Sequence, residues 1–382
     1  MKTLALIACV LALPFVSKVD ASSCPAPKVA TNIAVSGHPF GVVATSDNCW
    51  MYVALSNGGG RGAVAVLHNQ DGHFSVEHTV AMDGPNLGES MTHDGQTLLV
   101  TSGNNTTILS TAALQRGDTN AVLGKFHSGD DAGAVYAAVS PDDKLLFVSD
   151  EGAGRISVFD LAKARSDGFH DAEPIGRIPV APFPVGLAFS PDGRWLYATS
   201  ERAGLGSSMA ATCTPEQGRG HVYPQGLLFR IDVKKASTDA KHAVAAVLPA
   251  GCSPVRVAVS PSGKQLWVTS RGDNAVLRFQ TEEWLAQSTR ATFRRFSVGA
   301  SPVGIAIRPD GKQVWMALSN RFGNDSGGQL VGFADATDDV PSKRMTAPAA
   351  GFPREVIFLP DGNTLVATLF NASQVVVLPT AN

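Results

Sequence analysis

Charge is scarce in this sequence. Asp, Glu, Lys and Arg supply 17% of the 382 residues, well under the usual quarter of a globular chain. Basic residues number 31 and acidic residues 33, so neither a basic nucleic-acid footprint nor a polyacidic tail is present. At 44% hydrophobic residues the chain is too apolar to be disordered. Long apolar runs are missing as well: the stretch Leu4 to Val16 has 13 residues, too few to cross a bilayer. There is no Cys-x-x-Cys, no Cys-x-x-Cys-His and no His-Glu-x-x-His, which removes support for structural zinc, c-type haem and a zinc protease. A Gly-x-Ser-x-Gly elbow is absent too, and with it the α/β-hydrolase serine. No cofactor and no metal is expected. Gly58 to Gly62 is glycine-rich but lies between two strand-like runs, so it reads as a hairpin loop rather than a phosphate cradle.

What the chain does contain begins with an address. Lys2 precedes the short apolar run, and Val19-Asp20-Ala21 forms a small-x-small cleavage site before Ser22. Residues 1–21 therefore read as a secretory signal peptide, leaving a mature chain 22–382 that is secreted or periplasmic. Cys9 leaves with the signal. Cys24, Cys49, Cys213 and Cys252 remain, an even number that suggests disulfides in an exported protein.

The dominant feature is repetition. Pro182 to Ser200, Ser253 to Ser270 and Ser301 to Ser319 are versions of one unit, which returns at Ala134 and Phe352 and, more loosely, at His38 and Asn86. The turn in each unit falls at Ser46, His93, Pro141, Pro191, Pro261, Pro309 and Pro360, at intervals of 47, 48, 50, 70, 48 and 51. The long interval marks an insertion in the fourth unit, residues 203–225. Runs such as Val255 to Val259 alternate with period two. Pro-Asp-Gly turns follow them, because Pro presets φ and Gly accepts φ > 0. Four strands per unit of this length predict an all-β, seven-bladed β-propeller. The last unit stops after its third strand, and Val29 to Val35 is placed to supply the fourth and close the ring without a bare edge.

That closure orders the cysteines. Cys24 and Cys49 fall on the bottom face, Cys213 and Cys252 on the top face in neighbouring blades. The expected disulfides are Cys24–Cys49 and Cys213–Cys252.

Aligning the blades by column picks out site candidates. The position two residues after the inner-strand start reads Gly41, Gly88, Tyr136, Gly186, Arg256, Gly304 and Glu355. Charges along a channel wall are costly unless paired or hydrated, so Arg256 and Glu355 stand out, as either a site or an inter-blade pair. The top loops add Glu151, Glu201, Arg202, Arg271, Arg321 and Arg354, with His38 on the same face. Arginine binds carboxylates in a bidentate manner, so this ring suits a carboxylate ligand. The insertion carries Cys213, His221 and Tyr223 and could form a wall of the pocket.

The segment Val148 to Leu161 (VSDEGAGRISVFDL) and the segment Ser301 to Gly311 (SPVGIAIRPDG) resemble the second-to-third-strand and inner-strand motifs of the YVTN/lactonase-like propeller superfamily. The resemblance covers the whole mature chain. It implies the propeller fold, and a function among sugar lactonases, muconate-cyclising enzymes and exported binding propellers. The lactonase branch has a Gly-Pro-Arg-His inner-strand start and an Asn-Glu pair after the second strand. The nearest matches are Phe352-Pro353-Arg354-Glu355 and Asp150-Glu151.

Two functions are open at this level. One is a non-catalytic exported propeller binding a small molecule, glycan or protein on its top face. The other is a lactonase or lactone-forming cyclase, with Arg256 and Arg354 holding a carboxylate and Glu355 moving a proton. A monomer with no nucleic-acid partner and no membrane insertion is expected in either case.

Overall fold

The computed structural model describes residues 23–204, 213, 225–286, 292–321 and 327–380. The leader expected over residues 1–21 lies outside them, as do His221 and Tyr223 of the insertion. Seven four-stranded antiparallel sheets make a ring of blades. Their inner strands are His38–Ala44, Glu89–Met91, Ala134–Val139, Pro184–Phe189, Pro254–Val259, Pro302–Ile307 and Pro353–Phe358, in blade order 1 to 7. Among the described residues no helix is long and apolar enough to cross a membrane.

The Ser-Pro-Asp-Gly pattern has a specific local cause. In blade 3 the Ser140 hydroxyl donates to Asp142 Oδ1 at 2.7 Å, and the same oxygen accepts the Lys144 amide at 3.2 Å. Thr92 and Asp94 repeat this in blade 2 at 2.6 Å, with the Gln96 amide at 3.0 Å. The bottom turns of blades 1 to 4 are thus each locked by a hydroxyl and the carboxylate two residues after it.

Blades 2 to 5 add something the strand pattern does not announce. Short helices Thr111–Gln115, Leu161–Ser166, Val233–Ala236 and Thr281–Ala286 follow their third strands. Ser110, Asp160 and Asp232 cap the first three, accepting the amides of Ala113, Lys163 and Lys235. A strand-ending Asp or Ser is a helix start signal, visible in Asp160-Leu-Ala-Lys once one looks for it.

The ring closes as the missing strand required. Thr31–Ala34 pairs with the last strand, Gln374–Pro379, in the register Thr31↔Val377 and Ile33↔Val375. Cys24–Cys49 and Cys213–Cys252 are both formed. The first clips the closing segment to blade 1, where the Cys24 amide also donates to the Asp47 carbonyl at 2.8 Å. The second joins the blade 4 insertion to the last residue of the same blade's outer strand, Val244–Cys252, so it lies within blade 4 rather than between neighbouring blades.

The core runs between blades. Val42, Met51, Val53 and Leu67 of blade 1 pack with Val366, Val375 and Val377 of blade 7. Hydroxyls of the second strands stitch neighbours together near the axis. Ser149 donates to the Val185 carbonyl at 3.0 Å, Thr199 to Val255 at 2.7 Å, Thr269 to Val303 at 2.7 Å and Thr368 to Phe40 at 2.9 Å.

Candidate functional site

Glycine in the channel column is a packing requirement. A Cβ on Gly186 would lie 2.6 Å from the Val255 carbonyl oxygen and 2.9 Å from Arg256 Cα. One on Gly304 would lie 2.6 Å from the Arg354 carbonyl oxygen and 3.0 Å from Glu355 Cα. Each bare glycine lets the next inner strand come in close, and the next strand there carries a large side chain. The small residues and the charges of the column are therefore two halves of one arrangement.

Arg256 and Glu355 meet inside the channel. Arg256 Nε and Nη2 donate to Glu355 Oε2 at 3.3 and 3.2 Å, and both side chains are 8% exposed. The Arg256 guanidinium also stacks 4.2 Å from the centroid of Tyr136. Burial, followed by the Glu355 charge, pushes the Tyr136 phenol well above its ordinary range. This cluster divides the channel into an upper and a lower hollow.

The upper hollow measures about 50 Å³ and is lined by Glu151, Glu201, Arg256, Arg271, Arg321 and Arg354 over a valine floor. Arg271 Nη2 donates to Glu201 Oε2 at 2.8 Å and to Ser253 Oγ at 3.1 Å. Burial raises the Glu151 carboxyl above its ordinary value, as does the nearby Glu201, while Arg354, Arg271 and Arg321 oppose the rise. Arg354 is only partly buried. Its guanidinium lies 3.7 Å from the Phe40 ring centroid and 5.3 Å from that of Phe370. Burial and the charges of Arg256, Arg321 and Arg271 bring it down to about 9, still protonated at neutral pH. Among the described residues Arg354 has no ion pair and no hydrogen bond, only aromatic faces.

Other sequence candidates sit elsewhere. His38 stacks on Phe370 at 4.9 Å and its Nδ1 lies 2.9 Å from the Phe370 carbonyl oxygen, outside the hollow's lining. Arg202 covers the Phe183 ring at 4.6 Å. Tyr136 and Glu355 line the lower hollow, not the upper one. Glu355 is thus half of the inter-blade pair that was one of its two readings.

Glu89 also faces the channel, although it lies one position outside the aligned column. It follows Gly88 in blade 2 and is 5% exposed. Its Cγ lies 3.1 Å from where a Cβ on Gly41 would stand. Neither carboxylate oxygen has a hydrogen bond of normal geometry. Burial raises the Glu89 carboxyl well above its ordinary value; the Ala54 and Val43 amides temper this and Glu355 adds to it. A lone charge in an inner strand otherwise free of acids was the available signal.

A larger hollow of about 810 Å³ lies on the bottom, between blades 3 and 4. Its charges, among them Asp142, Lys144, Asp192 and Lys234, are of mixed sign, and it is remote from the channel cluster.

The family model described as "Lactonase, 7-bladed beta-propeller" matches residues 28–320. No curated protein matches the chain. Solved structures share the fold at low identity. A Kuenenia stuttgartiensis hydrazine synthase chain superposes with a TM-score of 0.68 at 17% identity, over 90% of this chain and 96% of that one. The Myceliophteria thermophila Cps50 (Swd1) β-propeller domain gives 0.62 at 13%, over 91% and 98%.

Proposed function

Because the chain belongs to the seven-bladed lactonase β-propeller family, we propose that its upper hollow is a recognition site for a small organic carboxylate, on an exported protein. The observation that carries this reading is Arg354. Its guanidinium faces the hollow with no carboxylate paired to it among the described residues, and arginines 256, 271 and 321 line the same space. Among the described residues, Arg271 is held by Glu201 and Arg256 by Glu355 from the hollow below, which leaves Arg354 without an acidic partner. A bound carboxylate supplies the bidentate partner that Arg354 lacks.

Size argues for binding by the head group. At about 50 Å³ the hollow falls far below the roughly 300–1,000 Å³ of pockets that engulf a drug-sized ligand. The rest of the ligand lies above, among the top loops. Two disulfides support a life in an oxidising compartment, in keeping with the N-terminal leader read from the sequence.

Calorimetric titration with aliphatic, aromatic and sugar-acid carboxylates tests the site. Arg354→Ala should weaken the best ligand by about ten- to a hundredfold, the worth of a charge-assisted hydrogen bond. Arg354→Lys should restore only part, since Lys cannot make the fork. Equal affinity in wild type and Arg354→Ala removes the proposal.

Lactone ring opening is the second reading, favoured by the family and by Glu151. Arg256 holds Glu355, which lines the other hollow. Of the two carboxyls that share the upper hollow with the arginines, Glu201 is held by Arg271, and the raised proton affinity of Glu151 suits a general base. It would take a proton from water attacking the lactone carbonyl, while the guanidiniums stabilise the oxyanion. Proton release from sugar, muconate and butyro-lactones, followed with a pH indicator, should fall by about 100-fold or more in Glu151→Gln. Release no faster than in buffer leaves the binding reading alone.

A further inference from the structure

Below the Arg256–Glu355 pair the channel opens again into a separate hollow of about 270 Å³. Its walls are mostly apolar, with Met91, Leu187, Phe189 and Ile357 among them, and His93 at its edge is turned to Asp143. Two carboxyls, Glu89 and Glu355, line it together with Tyr136. One positive charge, Arg256, is spent on Glu355. Glu89 is about 95% buried at 5% exposure; no side chain donates to it, and the Ala54 and Val43 amides near it make no hydrogen bond of normal geometry. Leaving a buried carboxyl unmet costs free energy on a scale that natural cores avoid. It is retained here beside empty space of ligand size.

We propose that this lower hollow binds a small organic ammonium ion, with its cationic head on Glu89 and its apolar tail against Leu187 and Phe189. A monocation leaves the two carboxyls matched by two positive charges. The aliphatic and aromatic walls suit a hydrocarbon tail, and the Phe189 ring adds a face that attracts cations. A hard metal ion is the poorer fit. Calcium takes six to eight oxygen ligands, and no group of three or more metal-binding side chains occurs among the described residues. The volume sits just under the usual small-molecule range of about 300–1,000 Å³, so the ligand is compact. Burial already disfavours the ionised form of Glu89, and an adjacent ammonium reverses that preference. The inference is independent of the carboxylate site above: the two hollows lie on opposite sides of the Arg256–Glu355 pair and carry opposite electrostatic demands.

Isobutylammonium and benzylammonium chlorides, titrated into the mature protein by calorimetry, probe the site, with isobutyrate and calcium chloride as contrasts. Saturable one-to-one binding of an ammonium at about 1 mM or tighter is expected. Glu89→Gln keeps the shape and removes the charge, and should weaken that binding at least about tenfold. Ala188→Leu fills the hollow without touching either carboxyl and should abolish ammonium binding, while carboxylate binding at Arg354 persists. The proposal is overturned if neither ammonium saturates, if calcium binds more tightly than both, or if folded Ala188→Leu binds them like wild type. Should Glu89→Gln not fold, the Ala188→Leu result decides.

Discussion

Replacing Arg256 with alanine should cost about 3–5 kcal/mol of folding stability, the penalty for removing one partner of a buried ion pair. Three features of the channel set that magnitude. Both interacting side chains are 8% exposed, so water cannot take over from the guanidinium. Arg256 places two donors on one Glu355 oxygen, at 3.2 and 3.3 Å, and covers the Tyr136 ring. Its loss leaves Glu355 sharing the channel with Glu89, whose carboxyl has no side-chain donor and no hydrogen bond of normal geometry. Urea unfolding followed by tryptophan fluorescence measures the effect. Arg256→Met combined with Glu355→Gln should recover most of the loss, because the pair can be replaced by neutral groups of similar volume. A single-variant loss under about 1 kcal/mol would show that the pair is solvated and that the channel is not closed at this level.

Opening the Cys24–Cys49 disulfide by serine at both positions should cost about 3–4 kcal/mol on the chain-entropy scale for the 25-residue separation. Position makes this bond matter. It anchors the segment that leads into Thr31–Ala34, the outer strand of blade 7. That strand is only four residues long and is the last piece that keeps the ring shut. The clip is reinforced by Asn69, whose Nδ2 donates to the Pro25 and Asn48 carbonyls at 2.9 Å each. Without it the closing strand frays more readily and Gln374–Pro379 presents an open edge, a template for association. Thermal unfolding with light scattering should show a lower midpoint and concentration-dependent aggregation. Serine at Cys213 and Cys252, 39 residues apart, should cost a similar amount without the aggregation, since the nine-residue strand that Cys252 ends is paired along its length and does not close the ring. Equal aggregation in the two double variants would rule out the closure role.

How much of this was legible in the residues differs between fold and site. The seven turns, the insertion in blade 4, the closing strand and both disulfide pairings follow from spacing, because each rests on short-range rules. A Pro-Asp-Gly turn needs its own φ values, a strand needs alternation, and an unfinished blade needs a partner. The short helices after Ser110, Asp160 and Asp232 obey equally local rules; attention to strands alone hid them. The arginine ring of the top loops was also readable, since propeller topology assigns those loops to one face.

The division of the channel was not readable. Arg256 and Glu355 are 99 residues apart, and whether they pair or stand free depends on how closely two inner strands approach across the axis. That approach is controlled by glycines such as Gly186 and Gly304, which act through the space they leave. Glu89 escaped notice because alternation gives the side of a strand, not the depth to which a side chain reaches between blades. The sequence by itself determined the ring, its closure and the charge of its upper mouth, all consequences of local geometry repeated seven times. Only the tertiary structure decided that Glu355 is held by Arg256, that Arg354 is left facing the opening, and that Glu89 lines a second hollow, because burial and pairing in the channel arise from seven strands meeting at one axis.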